Sequence, residues 1–340
     1  MALATLLLAA CGSSAPLPTD PVVANIAVGA RAGTPAIGAG AVWIPNTGDG
    51  TVSRIDPGSN HVVATIRIGD AAAFYKTVCE PYGSVHSFMV TTFHIRRCDL
   101  PSVVAAGSDS VWVAKNDTNE VVRVDPAANR IAARVATGVV PFGLLVTPAA
   151  VWVTSYDDDA IVRVDPTSDR VMATIRVPGR GPTGIVEADG ALWVANSRGG
   201  SVSRIDPVTN QVTATISITC RGQCLGGPVP LPVVAAANQV WTRNEGDGTV
   251  TRIDPRTNQV AGTIDVDTFY GRDGQDAIAV TPAGIWLSGV SLQRIDPATN
   301  RVVRTVDQGG ITMAAGFGSL WVTDILGRIL RIDPRRLRNG

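Results

Sequence analysis

Short stretches in which β-branched or small apolar residues alternate with polar ones recur roughly every 40 residues along the chain. One such unit comprises residues 102–107, 111–114, 121–125 and 130–135. Alternation over so few residues favours strands over helices. Four strands in a repeat of this length are typical of a β-propeller, so we predict an all-β protein.

Two markers predict the number of units. The string Arg-Ile/Val-Asp-Pro occurs seven times, with its aspartates at Asp56, Asp125, Asp165, Asp206, Asp254, Asp296 and Asp333. Each follows one of the seven tryptophans, which are Trp43, Trp112, Trp152, Trp193, Trp241, Trp286 and Trp321. The sequence therefore predicts seven blades, each a four-stranded antiparallel sheet, and we expect the large indole rings to pack between neighbouring blades.

The Asp-Pro step is interpreted as turn chemistry. An aspartate accepts hydrogen bonds from backbone amides two or three residues later, and proline sets φ for the next position. The fourth residue after the aspartate is Asn60, Asn129, Asp169, Asn210, Asn258 or Asn300 in the first six units. Asn and Asp tolerate the left-handed conformation that closes a hairpin. A calcium site needs several converging oxygen ligands, so these aspartates are predicted to be structural.

The seventh unit predicts how the ring closes. No Asn or Asp stands four residues after Asp333, and the chain ends at Gly340. This blade therefore lacks an outer strand, whereas residues 22–29 resemble the outer strand at 63–69. We expect the N-terminal strand to pair with the last blade, which removes an exposed sheet edge.

The N-terminus predicts export and a lipid anchor. Residues 6–10 are apolar or small, lead into Cys11 and are too short to span a bilayer. Leu8-Ala9-Ala10-Cys11 resembles a bacterial lipobox, although no positive residue precedes it. We predict a lipoprotein signal peptide at 1–11, a flexible tether at 12–20 and a single propeller at 21–340, with the lipid on Cys11. An unlipidated signal or a frayed terminus is the alternative.

The cysteines and the insertions that contain them predict disulfides. If Cys11 is acylated, four of the five cysteines remain, and three pairings are open. The local pairs Cys79–Cys98 and Cys220–Cys224 are favoured, because each lies within one insertion and export favours disulfides. The insertion at about 70–101 is rich in aromatic residues and also holds His86 and His94. We predict a disulfide-closed cap over the channel there; a surface loop without a specific role and a Cys2His2 zinc site are the alternatives.

The charge balance and the lack of known motifs argue against several classes of partner and enzyme. Lys and Arg number 29, and Asp and Glu also number 29. This balance argues against nucleic acid or an anionic membrane surface as the main partner, since both select basic faces. No phosphate loop, dinucleotide fingerprint or Ser-His-Asp pattern is present. We expect no cofactor or bound metal, a monomer, and membrane contact only through the lipid.

The repeat Val-x-Arg-Ile-Asp-Pro-x-Thr-Asn-x-Val-x-Ala-Thr-Ile, preceded by Val-Trp-Val-x-Asn, resembles the YVTN/YncE-like propeller repeats over roughly residues 22–335. It is also similar to the streptogramin (virginiamycin B) lyase branch of seven-bladed propellers. That branch implies a histidine base and a divalent metal on one face. His61 lies on the opposite, hairpin side, and His86 and His94 fall outside the repeat, so no catalytic residue is carried over.

Function is predicted to lie in the loops that follow the tryptophan strands and in the insertions between blades, because recognition residues concentrate on loops of rigid scaffolds. The candidate residues are Lys115, Tyr156, Arg198, Arg243, Glu245 and Asp324, with His86 and His94 of the insertion. We expect Asp157, Asp158 and Asp159 to face water. We predict a lipid-anchored binding module of the bacterial envelope, for a protein, peptide or glycan. A lyase-like or lactonase-like metalloenzyme and a purely structural role are the alternatives.

Overall fold

The computed structural model describes residues 20–69, 103–221, 224, 227–267, 277–324 and 326–337. These residues form 28 strands and no helix. The strands make seven four-stranded antiparallel sheets. The prediction of an all-β, seven-bladed propeller is therefore confirmed, and no helix in the described ranges is long and apolar enough to span a membrane.

The strands follow the chain in regular sets of four. The first half contains β1 (Val22–Ile26), β2 (Ala36–Gly38), β3 (Ala41–Asn46), β4 (Thr51–Asp56), β5 (His61–Arg67), β6 (Val103–Ala106), β7 (Val111–Lys115), β8 (Glu120–Asp125), β9 (Arg130–Ala136), β10 (Pro141–Val146), β11 (Val151–Ser155), β12 (Ala160–Asp165), β13 (Arg170–Arg176) and β14 (Pro182–Ala188). The second half contains β15 (Ala191–Asn196), β16 (Ser201–Asp206), β17 (Gln211–Ser217), β18 (Pro230–Ala236), β19 (Gln239–Asn244), β20 (Thr249–Asp254), β21 (Gln259–Asp265), β22 (Ile278–Thr281), β23 (Gly284–Leu287), β24 (Leu292–Asp296), β25 (Arg301–Val306), β26 (Thr312–Gly316), β27 (Ser319–Thr323) and β28 (Ile329–Ile332).

Blades 1 to 6 each use four consecutive strands, beginning with β2, β6, β10, β14, β18 and β22. Blade 7 has the order β1-β28-β27-β26, so its outer strand comes from the N-terminus. In this blade Val22 pairs with Ile332 and Ile26 pairs with Ile329. The prediction that the first strand closes the ring is confirmed.

The antiparallel blades give the ring two different faces. The hairpin face carries the turns between the first and second strands and between the third and fourth strands of each blade, including the Asp-Pro turns. The crossing face carries the loops between the second and third strands, together with the crossings from one blade to the next. The crossing face therefore brings the loops after the tryptophan strands next to the inter-blade crossings.

The tryptophans fill the spaces between blades, as predicted. All seven are at most 2% exposed. Trp43 of blade 1 packs with Val104, Val111 and Val113 of blade 2. At the closure, Trp321 of blade 7 packs with Val42, Ile44 and Ile55 of blade 1. Tryptophan packing against the next blade therefore occurs both between consecutive blades and at the closure between blades 7 and 1.

In several blades, the arginine of the Arg-Ile/Val-Asp-Pro string bonds to the turn of the next blade. Arg54 lies 5.4 Å from the ring of Trp43. It donates to the carbonyl of Pro126, in the next blade's turn, at 2.6 Å and to Oδ1 of Asn129 at 3.0 Å. Arg331 makes the same contacts across the closure, with Pro57 O at 2.6 Å and Asn60 Oδ1 at 2.7 Å. The repeated Arg and Asn therefore act together across blade boundaries.

The Asp-Pro turns have the predicted chemistry. Oδ1 of Asp165 accepts the amide of Thr167 at 2.8 Å, and this N–H is the main reason why the pKa of Asp165 lies below its usual value. The six predicted Asn and Asp residues all have φ between 51° and 60°.

Near the axis, Gly143 of inner strand β10 lies so close to blade 4 that a Cβ there would be 2.0 Å from the carbonyl oxygen of Thr183.

Candidate functional site

The described ends of the long inter-blade connections lie on the crossing face. These connections separate β5 from β6, β17 from β18, and β21 from β22, whereas β9 and β10 are only a few residues apart. Most of the largest insertion, including His86, His94, Cys79 and Cys98, lies outside the described residues. In the second insertion Cys220 and Cys224 form the predicted disulfide, with Cα atoms 6.2 Å apart.

Two of the sequence candidates come together on this face. Tyr156 follows β11 in blade 3, and Arg198 follows β15 in blade 4. The guanidinium carbon of Arg198 lies 4.1 Å from the centre of the Tyr156 ring. Its Nη2 donates to the carbonyl of Tyr156 at 3.0 Å and to Oδ1 of Asp157 at 2.5 Å. The stack therefore joins the loops of two adjacent blades.

A second aromatic ring extends this stack. Phe142, at the start of inner strand β10, has its ring centre 5.9 Å from that of Tyr156, with the planes tilted by 31°. Phe142 and Tyr156 are half-buried, and the side chains of Arg198 and Asp157 are 35% and 40% exposed. We call Phe142, Tyr156, Asp157 and Arg198 the aromatic–arginine patch. It offers two rings, a cation and a carboxylate to solvent, a mixture suited to binding a polar partner with a flat apolar part.

Three other candidates lie in the interior with internal partners. Lys115 is 5% exposed and lies 3.4 Å from Glu120 and 3.6 Å from Asp117. Arg243 is 1% exposed and donates to the carbonyls of Ser288 and Asp267, so it links blade 5 to blade 6.

Asp324 is 6% exposed and bonds to the amides of Leu326 and Arg328 as well as to the Arg328 guanidinium. Glu245 is half-buried, and its amide donates to Val229 O at 3.1 Å. These contacts order the loops of blades 5 and 7 on the crossing face.

The three aspartates after β11 make contacts that the sequence analysis did not predict. Asp157 pairs with Arg198 at 2.5 Å. Asp158 accepts from the amide of Val139 at 2.7 Å and from Ser155 Oγ at 2.7 Å. Asp159 accepts from the amide of Gly181 at 2.7 Å. The expectation that these carboxylates simply face water holds in part for Asp157, which is exposed beside Arg198, and is wrong for Asp158 and Asp159, because the crossings bring backbone amides close to them.

Metal chemistry finds little support among the described residues. Within those ranges no three His, Cys, Asp or Glu side chains converge as metal ligands do. Of the three histidines, only His61 is described, and it begins β5 on the hairpin face. The described residues therefore do not fit the histidine and divalent metal that the lyase resemblance implies.

Sequence reasoning missed Phe142, the second ring of the aromatic–arginine patch. Its signal was weak, since it stands in an inner strand where apolar residues are ordinary. Only the placement of β10 next to the loop after β11 shows that its ring contacts Tyr156. The pairing of Tyr156 with Arg198, 42 residues away, was equally invisible.

The solved structures that are similar to this chain share its fold. No protein-family model matches the chain, and no curated protein matches it. The structure of streptogramin B lyase is similar over 91% of this chain and 96% of that protein, with 15% identity and a TM-score of 0.64. Hydrazine synthase from Kuenenia stuttgartiensis matches over 90% and 97%, with 13% identity and a TM-score of 0.65. BamB from Moraxella catarrhalis matches over 91% and 84%, with 13% identity and a TM-score of 0.58. At these identities the likeness shows that the chain shares the propeller fold with proteins of different activities.

Proposed function

We propose that this protein is an envelope propeller that binds a protein, peptide or glycan partner on its crossing face, centred on the aromatic–arginine patch. We further propose that a lipid on Cys11 tethers it to a membrane. The observation that carries the proposal is the stack of Arg198 on Tyr156, which lies partly exposed across the boundary of blades 3 and 4.

The chemistry of the patch supports a binding role. Aromatic residues and arginine are enriched in the contact residues that dominate binding energy. The ring of Tyr156 and the guanidinium of Arg198 already hold each other in place, so a partner needs to order few side chains. A peptide or a sugar can stack on these rings and hydrogen-bond to Arg198 or Asp157.

The surroundings of the patch support the same role. The buried contacts of Lys115, Arg243 and Asp324 stabilise the loops of the crossing face from below. The disulfide between Cys220 and Cys224 also lies in a connection that leaves β17 on this face. Disulfides persist in oxidising compartments, which agrees with export and with the lipobox-like N-terminus.

Site-specific photocrosslinking tests the binding proposal. A benzophenone amino acid replaces Tyr156 in one version of the full chain and Val208 in another, because Val208 is 84% exposed on the hairpin face. Both are produced with export in the native envelope. We expect a discrete crosslinked species from position 156, weakened by Arg198→Gln, and none from position 208. Equal crosslinking from both positions would reject the crossing face as the binding site.

The anchor has an independent test. We expect the native protein to fractionate with membranes and to incorporate labelled palmitate. Cys11→Ser should release it into the soluble fraction, with Ser14→Ala as the matched control. Release without any change in labelling would contradict lipidation at Cys11.

A streptogramin-lyase-like or lactonase-like enzyme that uses a divalent metal is the second candidate. The similarity of this chain to streptogramin B lyase over 91% of its length favours it. A virginiamycin B lyase structure that is also similar contains quinupristin, which makes this compound a suitable substrate to test. Metal-dependent conversion of quinupristin by the full chain would replace the binding proposal with this one.

A further inference from the structure

The hairpin face has a cavity of about 680 Å3 where blade 7 meets blades 6 and 1. Its walls include Pro282 from the turn after β22, Phe317 from the turn after β26, and residues 333–336 after β28. Ligand sites have volumes of about 300–1,000 Å3, so this one is of suitable size. It lies on the face opposite to the aromatic–arginine patch and is a separate feature.

The cavity exists at this seam because of how the ring closes. In blades 1 to 6 the Asp-Pro turn continues into the outer strand of the same blade. In blade 7 the chain continues past Asp333 without forming that strand, and β1 supplies it instead. Val23 of β1 and Asn60 of blade 1 therefore contribute to the same cavity as residues 333–336.

Phe317, which lines this cavity, occupies a turn position whose backbone conformation disfavours bulky residues. It has φ of 51° and is followed by Gly318 with φ of 69°. The same turn in blade 4 holds Asp189 and Gly190, with φ of 49° and 67°. Asn, Asp and Gly adopt this conformation readily, whereas a bulky side chain is strained in it. Phe317 is nevertheless 43% exposed, so burial in the core does not explain why a phenylalanine stands here.

The cavity also carries surplus positive charge. Its lining contains Arg331, Arg335 and Arg336 against the single acidic residue Asp333, which is three positive charges minus one, or +2. Arg335 binds both carboxylate oxygens of Asp333 at 2.9 Å, yet its side chain remains 81% exposed. Arg336 also lies 3.3 Å from Asp333 and is 21% exposed, and Arg331 bonds to Pro57 and Asn60. One carboxylate therefore serves two arginines, and the guanidinium of Arg335 is the most exposed part of the surplus positive charge.

The composition of the lining points to a protein partner. Aromatic residues and arginine are enriched at protein interfaces. The lining has Phe317, two prolines and three arginines. Strained and exposed residues cluster at binding sites, where a partner makes use of them.

We propose that this hairpin-face cavity binds an acidic peptide segment of a partner protein, with an apolar side chain packed against Phe317 and Pro282 and carboxylates beside Arg335 and Arg336. Phe317 supplies the apolar contact. The arginines select against basic segments. A partner bound here also contacts blades 6, 7 and 1 at once, so it stabilises the ring closure by mass action.

A random twelve-residue peptide library displayed on phage is the probe. It is selected on the full chain, after depletion on the Phe317→Asn variant. Asparagine suits the left-handed turn, so this variant should unfold in urea at the same or a higher midpoint than the parent. Asp189→Asn, in the equivalent turn of blade 4, is the matched control, and Arg335→Gln tests the charge.

We expect the enriched peptides to combine an apolar residue with Asp or Glu. The best synthetic peptide should bind Phe317→Asn and Arg335→Gln at least tenfold more weakly than the parent and Asp189→Asn, and its affinity should fall as salt rises. It should also raise the melting temperature of the parent.

Three results would overturn the proposal. The first is no enrichment, or enrichment of basic peptides. The second is equal binding to the parent and Phe317→Asn. The third is a lower urea midpoint for Phe317→Asn, which would make Phe317 a structural residue. Saturable binding of dodecanoate that blocks the enriched peptides equally in the parent and Arg335→Gln would assign the cavity to an apolar small molecule instead.

Discussion

Removal of the closing strand tests the architecture most directly. Residues 20–29 contain β1, whose Val22, Ala24, Asn25 and Ile26 pair with β28. Deleting these residues leaves β28 as an exposed edge and opens the blade in which the first and last described strands pair. We expect the deletion to destabilise the whole domain.

The magnitude follows from Ile26 and the paired backbone. Ile26 is 5% exposed and packs in the cluster that holds Trp321 and Ile44. Truncating such a residue to alanine costs about 2–5 kcal/mol. Each lost backbone hydrogen bond costs about 1 kcal/mol more. The deletion should therefore lower the free energy of unfolding by at least about 5 kcal/mol, which is comparable to the entire stability of many domains.

Urea unfolding followed by tryptophan fluorescence is the assay, because Trp321 lies in the affected cluster. Ile26→Ala should lose about 2–5 kcal/mol, and so should Ile66→Ala, which is also 5% exposed but lies in a strand continuous with its own blade. Val63→Ala, at a position 53% exposed, should change the free energy of unfolding by less than about 0.5 kcal/mol. An unchanged urea midpoint for the deletion would refute the role of β1 in closing the ring.

Three further predictions concern the turns, an inter-blade ion pair and the disulfide. The backbone amide of Gly58 holds the pKa of Asp56 below its usual value, and backbone amides do the same for Asp125, Asp165, Asp206 and Asp296. A lowered folded pKa contributes stability above the unfolded value near 3.9 that is lost as pH falls. The urea midpoint should therefore drop below about pH 4, and a smaller drop in Asp56→Asn would be consistent, whereas an identical one would not. Arg123 binds both oxygens of Asp169 in the next blade at 2.7 Å, so a double-mutant cycle with Arg123→Gln and Asp169→Asn should give a coupling free energy of about 1 kcal/mol, and additive effects would contradict a direct bond. Replacing Cys220 and Cys224 by serine should lower the free energy of unfolding by roughly 2 kcal/mol in the chain-entropy model, measured without reductant, and no change would show that the loop is equally restricted without the bond.

The repeat, the turns and the closure could be predicted because they rest on local chemistry. Aspartate, proline and asparagine at fixed spacing specify a hairpin by their own backbone preferences, and all six predicted Asn and Asp positions have positive φ. The missing outer strand after Asp333 and the spare strand at residues 22–29 are likewise visible in the order of residues, since every blade needs four strands.

Contacts between blades could not be predicted from one sequence. The bond of Arg54 to Asn129 and the stack of Arg198 on Tyr156 depend on which loop of one blade faces which loop of the next. That choice is set by the register and twist of whole sheets, which no local pattern encodes. The burial of the charged residues Lys115 and Arg243 has the same origin.

The sequence by itself determined the number of blades, the chemistry of their turns and the strand that closes the ring, because each of these follows from short-range preferences repeated along the chain. Only the tertiary structure decided which polar residues remain at the surface, where Phe142 meets Tyr156, and that Phe317 lines a cavity on the hairpin face. These depend on distances between residues from different blades, which arise when the seven sheets pack around one axis.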